Sequence, residues 1–166
     1  MSDPVVLGVL LMGWAAQAVT WVGALVVAGG RAAAREEWGY ELAIRAVQVG
    51  LIVWALVAAR GTVAPLEQAA AVALLAGYLA GHIVAIAGRR ELGTAWGIGT
   101  RPPGRGEPVV RSGIYRFLPH PIYTGTGVAI AAQAALLQNV PSVVLLAAAV
   151  AVIAWKIARE NRWLSG

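Results

Sequence analysis

The sequence predicts an all-α fold: a polytopic membrane bundle of about five transmembrane helices, with one long polar loop and a helical C-terminal extension. Three observations predict it. Hydrophobic residues make up 59% of the 166 and charged residues only 13%, about half the charged fraction of a soluble domain, and the mean hydropathy is +0.71. The apolar residues fall in runs of about 20, the length that crosses a hydrocarbon core of ~30 Å. The basic residues gather in a few short segments between those runs, as in loops on one side of a membrane.

The elements follow in order. The N-terminus, "MSDPVVLGVLLMGW", lacks the basic segment of a signal peptide, and its apolar run is too long for one. It therefore reads as the start of a retained span, 5–28. Further spans read at 42–59 and 63–87. A Gly/Pro/Arg-rich stretch then occupies 88–120. The last apolar block is too long for a single crossing, and "LLQNVPS" interrupts it with Asn139 and Pro141. Asn favours turns and Pro suits the first turn of a helix. The block therefore reads as a hairpin of two spans, 121–138 and 141–156, with the second helix running on to Leu164.

Five spans place twelve of the thirteen basic residues on one side, with Arg60 alone on the other. Under the positive-inside rule the 88–120 loop and the C-terminus face the cytoplasm and the N-terminus lies outside. The whole chain, 1–166, reads as one integral membrane domain, without an internal repeat or a linker long enough to separate independent domains.

Composition also excludes chemistries. No cysteine is present, which removes disulfides, thiolate nucleophiles, Cys-ligated zinc and palmitoylation. The only histidines are His82 and His120, so no metal site is expected. The net charge of +5 sits at span ends, which argues against nucleic acid and against a small transporter subunit, whose ionisable groups lie near the bilayer centre. Gln17, Gln48, His82 and Gln133 lie in or near spans and read as interhelical hydrogen-bonding residues. The small residues of "LLAGYLAGHIVAIAG" read as a close-packing surface.

One stretch asks for more than an anchor: "RSGIYRFLPHPIYTG", 111–125. Gly113 permits a tight turn, and Pro121 suits the start of the fourth helix. A helix N-terminus on the cytoplasmic side is a good anion site. His120 adds a donor and an acceptor, Tyr115 and Tyr123 add aromatic faces for a flat ring or a cation, and Gly125 reads as leaving room for a ligand. In the tail, "WKIARENRWL", Lys156 and Glu160 are four apart on one helix face. If the loop folds back, Glu160 reaches the same ligand, which would then be zwitterionic and aromatic.

The Leu-Gly at 92–93, the run "EPVVRSGIYRFLPHPIYTG", the hairpin and "KIARENRWL", in this order and spacing, resemble the isoprenylcysteine carboxyl methyltransferase family, which includes phospholipid methyltransferase-like proteins. The resemblance covers about 80–164 and rests on a Ser-Gly-x-Tyr-Arg turn, an Arg-His-Pro-x-Tyr-x-Gly turn and a Glu-Glu-x-x-Leu tail. It implies a cytoplasmic cofactor loop at 88–120 and S-adenosylmethionine as methyl donor. Glu107, Pro108, Val109 and Val110 would line that cofactor, Tyr115 would pack near it, and His120, Pro121, Ile122 and Tyr123 would cradle it. Glu160 would bond its polar groups. Lys156 matches a basic position facing the methyl acceptor, and Arg116 is the third residue assigned to the chemistry. Here Pro119 stands for the family's arginine and Asn161 for its second glutamate.

The partner implied is a lipophilic small molecule or lipid, entering from the bilayer, with its carboxylate favoured over an amine as the group methylated. Arginine outnumbers lysine and alanine is abundant, which points to a GC-rich bacterial genome and hence to a bacterial inner membrane. A non-catalytic member of the same fold is the competing reading.

Overall fold

The computed structural model describes residues 3–27, 46, 49–50, 52–54, 57, 66–93 and 110–164. Four α-helices and one short 3-10 turn carry the described fold: α1 (Asp3–Val27), α2 (Gln68–Leu92), the 3-10 turn (Gly113–Arg116), α3 (Pro121–Leu137) and α4 (Val140–Leu164). Three stretches are long and apolar enough to cross a membrane, Pro4–Gly23, Gln68–Leu92 and Val140–Ala158, and α3 is a shorter apolar helix. The all-α membrane bundle expected from hydropathy is thus the fold found. The expected second span, with Gln48, lies mostly outside the described residues. Helical backbone is described at 49–50 and 52–54, and Ile52 is buried against Ile130 of α3 and Leu145 of α4.

Local chemistry explains the boundaries. Pro121 stands in the first turn of α3, where its missing N–H costs nothing. At the other end Gln138 takes the left-handed conformation, φ 47°, and its N–H bonds the Ala134 carbonyl at 2.9 Å. Asn139 then caps α4, its Oδ1 accepting the Ser142 N–H at 2.9 Å. Two residues thus separate α3 from α4, and a connection that short makes them antiparallel neighbours. The third of the expected spans, α2, starts at Gln68 and continues to Leu92, so the first residues of the polar 88–120 stretch are helical.

Contact pairs give the remaining directions. Gly88 meets Pro121 and Ile122, while Gly81 meets Gly125 and Ala129, so α2 and α3 are antiparallel. Tyr78 bonds Leu10 and His82 bonds Gln17, so α1 and α2 are parallel. The first residue of α3, the last of α2 and the last of α4 therefore share one end of the bundle, and the N-terminus of α1 lies at the other.

The tightest packing joins α2 to α3. A Cβ built on Gly81 would lie 2.6 Å from the Gly125 carbonyl oxygen and 2.7 Å from the Ala129 nitrogen. One built on Gly125 would lie 2.6 Å from the Ala85 nitrogen. The two backbones touch there, as small residues allow in membrane bundles. This corrects the expectation that Gly125 leaves room for a ligand: the α2 backbone fills that space.

Several polar side chains inside the bundle bond across helices, as a medium without water favours. The Trp14 indole N–H donates to Gln133 Oε1 at 2.7 Å, Gln17 Nε2 to Thr126 Oγ1 at 3.3 Å, and the Tyr78 hydroxyl to the Leu10 carbonyl at 2.5 Å. His82 Nδ1 lies 2.6 Å from Gln17 Oε1. Gln17, His82 and Gln133 are thus the interhelical bonding residues expected. The rings of Trp14 and Tyr78 stand edge-on to His82, at centroid distances of 4.8 and 4.5 Å. Outward, Leu11, Met12, Val19, Val143 and Val150 are exposed, which is the apolar surface that lipid covers.

Candidate functional site

The site lies at the shared end of the bundle, where α2 and α4 terminate and α3 begins. Its floor is the close contact of α2 with the start of α3. Gly88 has no side chain, and a Cβ there would lie 2.7 Å from Pro121 Cγ and 3.3 Å from Ile122 Cγ1. The glycine lets the His–Pro turn sit directly on α2.

The segment 110–120 wraps this end. Val110 and Arg111 lead into Ser112, which begins the 3-10 turn, and the Tyr115 N–H bonds the Ser112 carbonyl at 3.0 Å. Gly113 has φ 50°, a conformation that glycine takes without strain. The turn closes with the Phe117 and Leu118 amides on the Ile114 carbonyl, at 3.1 and 3.0 Å. Tyr115, half-buried, makes a long 3.4 Å bond from its hydroxyl to the Gly88 carbonyl. Arg116 is exposed, its guanidinium carbon 5.8 Å from the centre of the Phe117 ring.

His120 is the N-cap residue of α3, and its carbonyl accepts the first helical bond, from the Thr124 N–H at 3.0 Å. Because Pro121 has no N–H, the Ile122 and Tyr123 amides are the donors of the first turn. The His120 ring stacks on Tyr123 with centroids 6.0 Å apart and planes 26° apart. Its Nε2 lies 3.3 Å from Asn161 Oδ1, near the end of α4. That contact brings together residues 41 positions apart. The turn before α3 and the end of α4 therefore meet, the arrangement expected if the loop folds back over the bundle.

Of the other residues singled out from sequence, Pro121 is buried and Ile122 and Tyr123 half-buried beside this contact. Lys156 is buried in α4, with 6% of its surface exposed. It lies one turn before Glu160. The Glu160 backbone belongs to α4, but its side chain lies outside the described residues, as do Glu107, Pro108 and Val109 altogether. Sequence reasoning missed Gly88 as the seat of the turn, and Glu91, whose carboxylate accepts a hydrogen bond from Ser112 Oγ at 2.6 Å. It read Arg89 only as a topology signal. Arg89 is buried to 6% exposure and donates from NH1 to the Gly93 carbonyl at 3.2 Å. The spacing of Gly88 and Glu91, three apart on one helix face, becomes a signal only once the helix is known to run on to Leu92.

Residues 71–166 match the family model described as the isoprenylcysteine carboxyl methyltransferase (ICMT) family. The chain belongs to that family. It is thereby a membrane methyltransferase by class, and the matched region holds α2 almost whole, the wrapped segment, α3 and α4. No curated protein and no solved structure matches the chain.

Proposed function

We propose that this ICMT-family protein transfers a methyl group from S-adenosylmethionine to a lipophilic acceptor that enters from the bilayer, with a carboxylate as the group methylated. The observation that carries the proposal is the His120–Asn161 contact, 3.3 Å, because it joins the family's two motif segments at one end of the bundle. When bound, S-adenosylmethionine supplies a methyl group already activated on a sulfonium, so the protein has mainly to position and desolvate the reactants.

The groups present fit such a ligand. The first-turn amides of Ile122 and Tyr123 and the dipole of α3 favour its carboxylate. The His120–Asn161 pair offers side-chain hydrogen-bonding atoms. Tyr115 and Tyr123 offer faces for a flat ring or a cation. By the family resemblance, Glu160, one residue before Asn161, would supply the acidic group for an ammonium, and Glu107, Pro108, Val109 and Val110 would line the cofactor.

The acceptor reading comes from geometry and charge. With 17 residues, α3 is ~25 Å long at 1.5 Å per residue, less than the ~30 Å hydrocarbon core. A helix that short draws the His–Pro turn towards the lipid boundary, where a lipophilic acceptor is held. A carboxylate there would sit against Lys156 or Arg116, which favours oxygen over nitrogen as the atom methylated. An amine would instead need Glu160 to take the departing proton. The orientation proposed puts this end in the cytoplasm and the N-terminus outside, in a bacterial inner membrane.

Calorimetry with S-adenosylmethionine on the detergent-solubilised protein tests the reading. Binding is expected in the wild type and lost in Glu160→Ala. Tritiated methyl incorporation into a lipid extract then separates an enzyme from the second reading, a non-catalytic member, which the Pro119 and Asn161 departures keep open. Wild-type protein that binds no S-adenosylmethionine refutes the proposal, and Glu160→Ala that binds normally refutes the site.

A further inference from the structure

We infer that Glu91 is a positioning residue for the donor site: its carboxylate, one turn beyond Gly88 on α2, holds the Ser112–Gly113 turn and so sets where Tyr115 lies relative to His120. The inference rests on the reading of this segment as the S-adenosylmethionine site.

Three observations converge. Ser112 Oγ donates to Glu91 Oε1 at 2.6 Å, a distance typical of a charge-assisted bond. The carboxylate also lies against the Gly113 α-carbon. A Cβ there would be 2.6 Å from Glu91 Cδ and 2.7 Å from each carboxylate oxygen. Glycine at 113 is favoured by φ 50°, and a methyl group there would displace the Glu91 carboxylate from the turn. Finally, Gly88 and Glu91 share a face of α2, and Gly88 already seats Pro121 and Ile122 and accepts the Tyr115 hydroxyl. A single helical turn thus grips the wrapped segment at both ends, through Glu91 at residues 112–113 and through Gly88 at residues 121–122.

An ordinary surface hydrogen bond would stabilise little and would leave ligand affinity alone. A positioning role differs, because the loop between the two grips carries Tyr115 and His120. Releasing one grip lets the loop adopt many conformations, and ligand binding must then bear the ordering entropy.

The experiment measures S-adenosylmethionine affinity calorimetrically, and melting temperature, for wild type, Glu91→Ala, Glu91→Gln, Ser112→Ala and the Glu91→Ala/Ser112→Ala double variant. Glu91→Ala and Ser112→Ala are each expected to weaken binding about fivefold to tenfold, the upper part of the range for an ordinary hydrogen bond. The double variant should be no weaker than the worse single, since both break one bond. Glu91→Gln keeps an oxygen acceptor in the same place and should bind within about threefold of wild type. Affinity within about twofold of wild type for Glu91→Ala, independent additive losses in the double variant, or a Glu91→Gln as weak as Glu91→Ala would each overturn the inference. Failure of the wild type to bind overturns instead the proposed function beneath it.

Discussion

Replacing Gly81 or Gly125 by alanine tests the packing that holds the site's floor. A Cβ on Gly81 would lie 2.6 Å from the Gly125 carbonyl oxygen, where ordinary contact begins at 3.4 Å. The atoms it meets are backbone and cannot rotate away, so α2 and α3 must move apart by about 0.8 Å. A gap of that size forfeits roughly a quarter to a half of each contact's ~0.1–0.2 kcal/mol. Over about 40 such contacts, the number a single buried leucine makes, the loss is about 2 kcal/mol, within the ~1–3 kcal/mol of overpacked cores. Gly77→Ala is the control, because a Cβ there meets nothing within 4 Å. It carries the same gain in helix propensity, so the difference between the variants isolates the clash. The assay is unfolding in mixed detergent micelles as the SDS fraction rises, followed by circular dichroism. Gly81→Ala and Gly125→Ala should each lie about 2 kcal/mol below Gly77→Ala. Their double variant should cost less than the two losses added, since one separation of the helices accommodates both methyl groups. Gly81→Ala and Gly125→Ala as stable as Gly77→Ala would refute the close approach of the two backbones.

Other perturbations read different regions of the molecule. Trp14→Phe removes the only donor the indole has and leaves Gln133 Oε1 without the 2.7 Å bond, so it should destabilise the bundle by about 1 kcal/mol, and adding Gln133→Leu should recover much of that in the same unfolding assay. Gly113→Ala should lower S-adenosylmethionine affinity more than Ser112→Ala does, because it adds about 1–2 kcal/mol of left-handed strain to a collision with Glu91. Since the chain has no cysteine, single cysteines at Ser112, Arg162 and Gln138 can be tagged cleanly in cells. An impermeant maleimide should react with Gln138→Cys from outside and with Ser112→Cys and Arg162→Cys only after permeabilisation, and a reversed pattern overturns the proposed orientation.

How much of this was legible in the sequence follows from how far apart the interacting residues are. The hairpin was, because its instructions are local: Asn139 caps the helix that Pro141 opens, and both lie within three residues of the turn. The polar pairs were legible as a class, since Gln17, His82 and Gln133 in apolar runs must bond something. Their partners were not, because Trp14 reaching Gln133 across 119 positions depends on how the helices are rotated, and periodicity alone leaves that rotation open when helices are apolar nearly all round. Gly125 shows the same limit: a glycine beside a motif reads equally as space for a ligand or as space for a neighbouring backbone, and only the position of Gly81 decides.

The site divides along the same line. His120 and Asn161 could be placed near one another from topology, because two segments on one face of the bilayer and on adjacent helices must lie close. Glu91 could not, since nothing in "GRRELG" distinguishes a structural carboxylate from the acidic member of a charged loop. What separates them is that Glu91 follows Gly88 by one helical turn, and Gly88 is already committed to Pro121. Once α2 is known to run on to Leu92, that face of its last turn has to meet the segment that leads into Pro121. The reach of α2 beyond the last apolar residue of its span is thus what turns a loop of arginines and glycines into a positioned site. It predicts that a helix-breaking Arg90→Pro, at an exposed position away from these contacts, should lower S-adenosylmethionine affinity as strongly as Glu91→Ala does, whereas Arg90→Ala should leave it unchanged. Equal affinity for Arg90→Pro and Arg90→Ala, measured on folded protein in which the proline has shortened the helix, would show that the site does not depend on the end of α2.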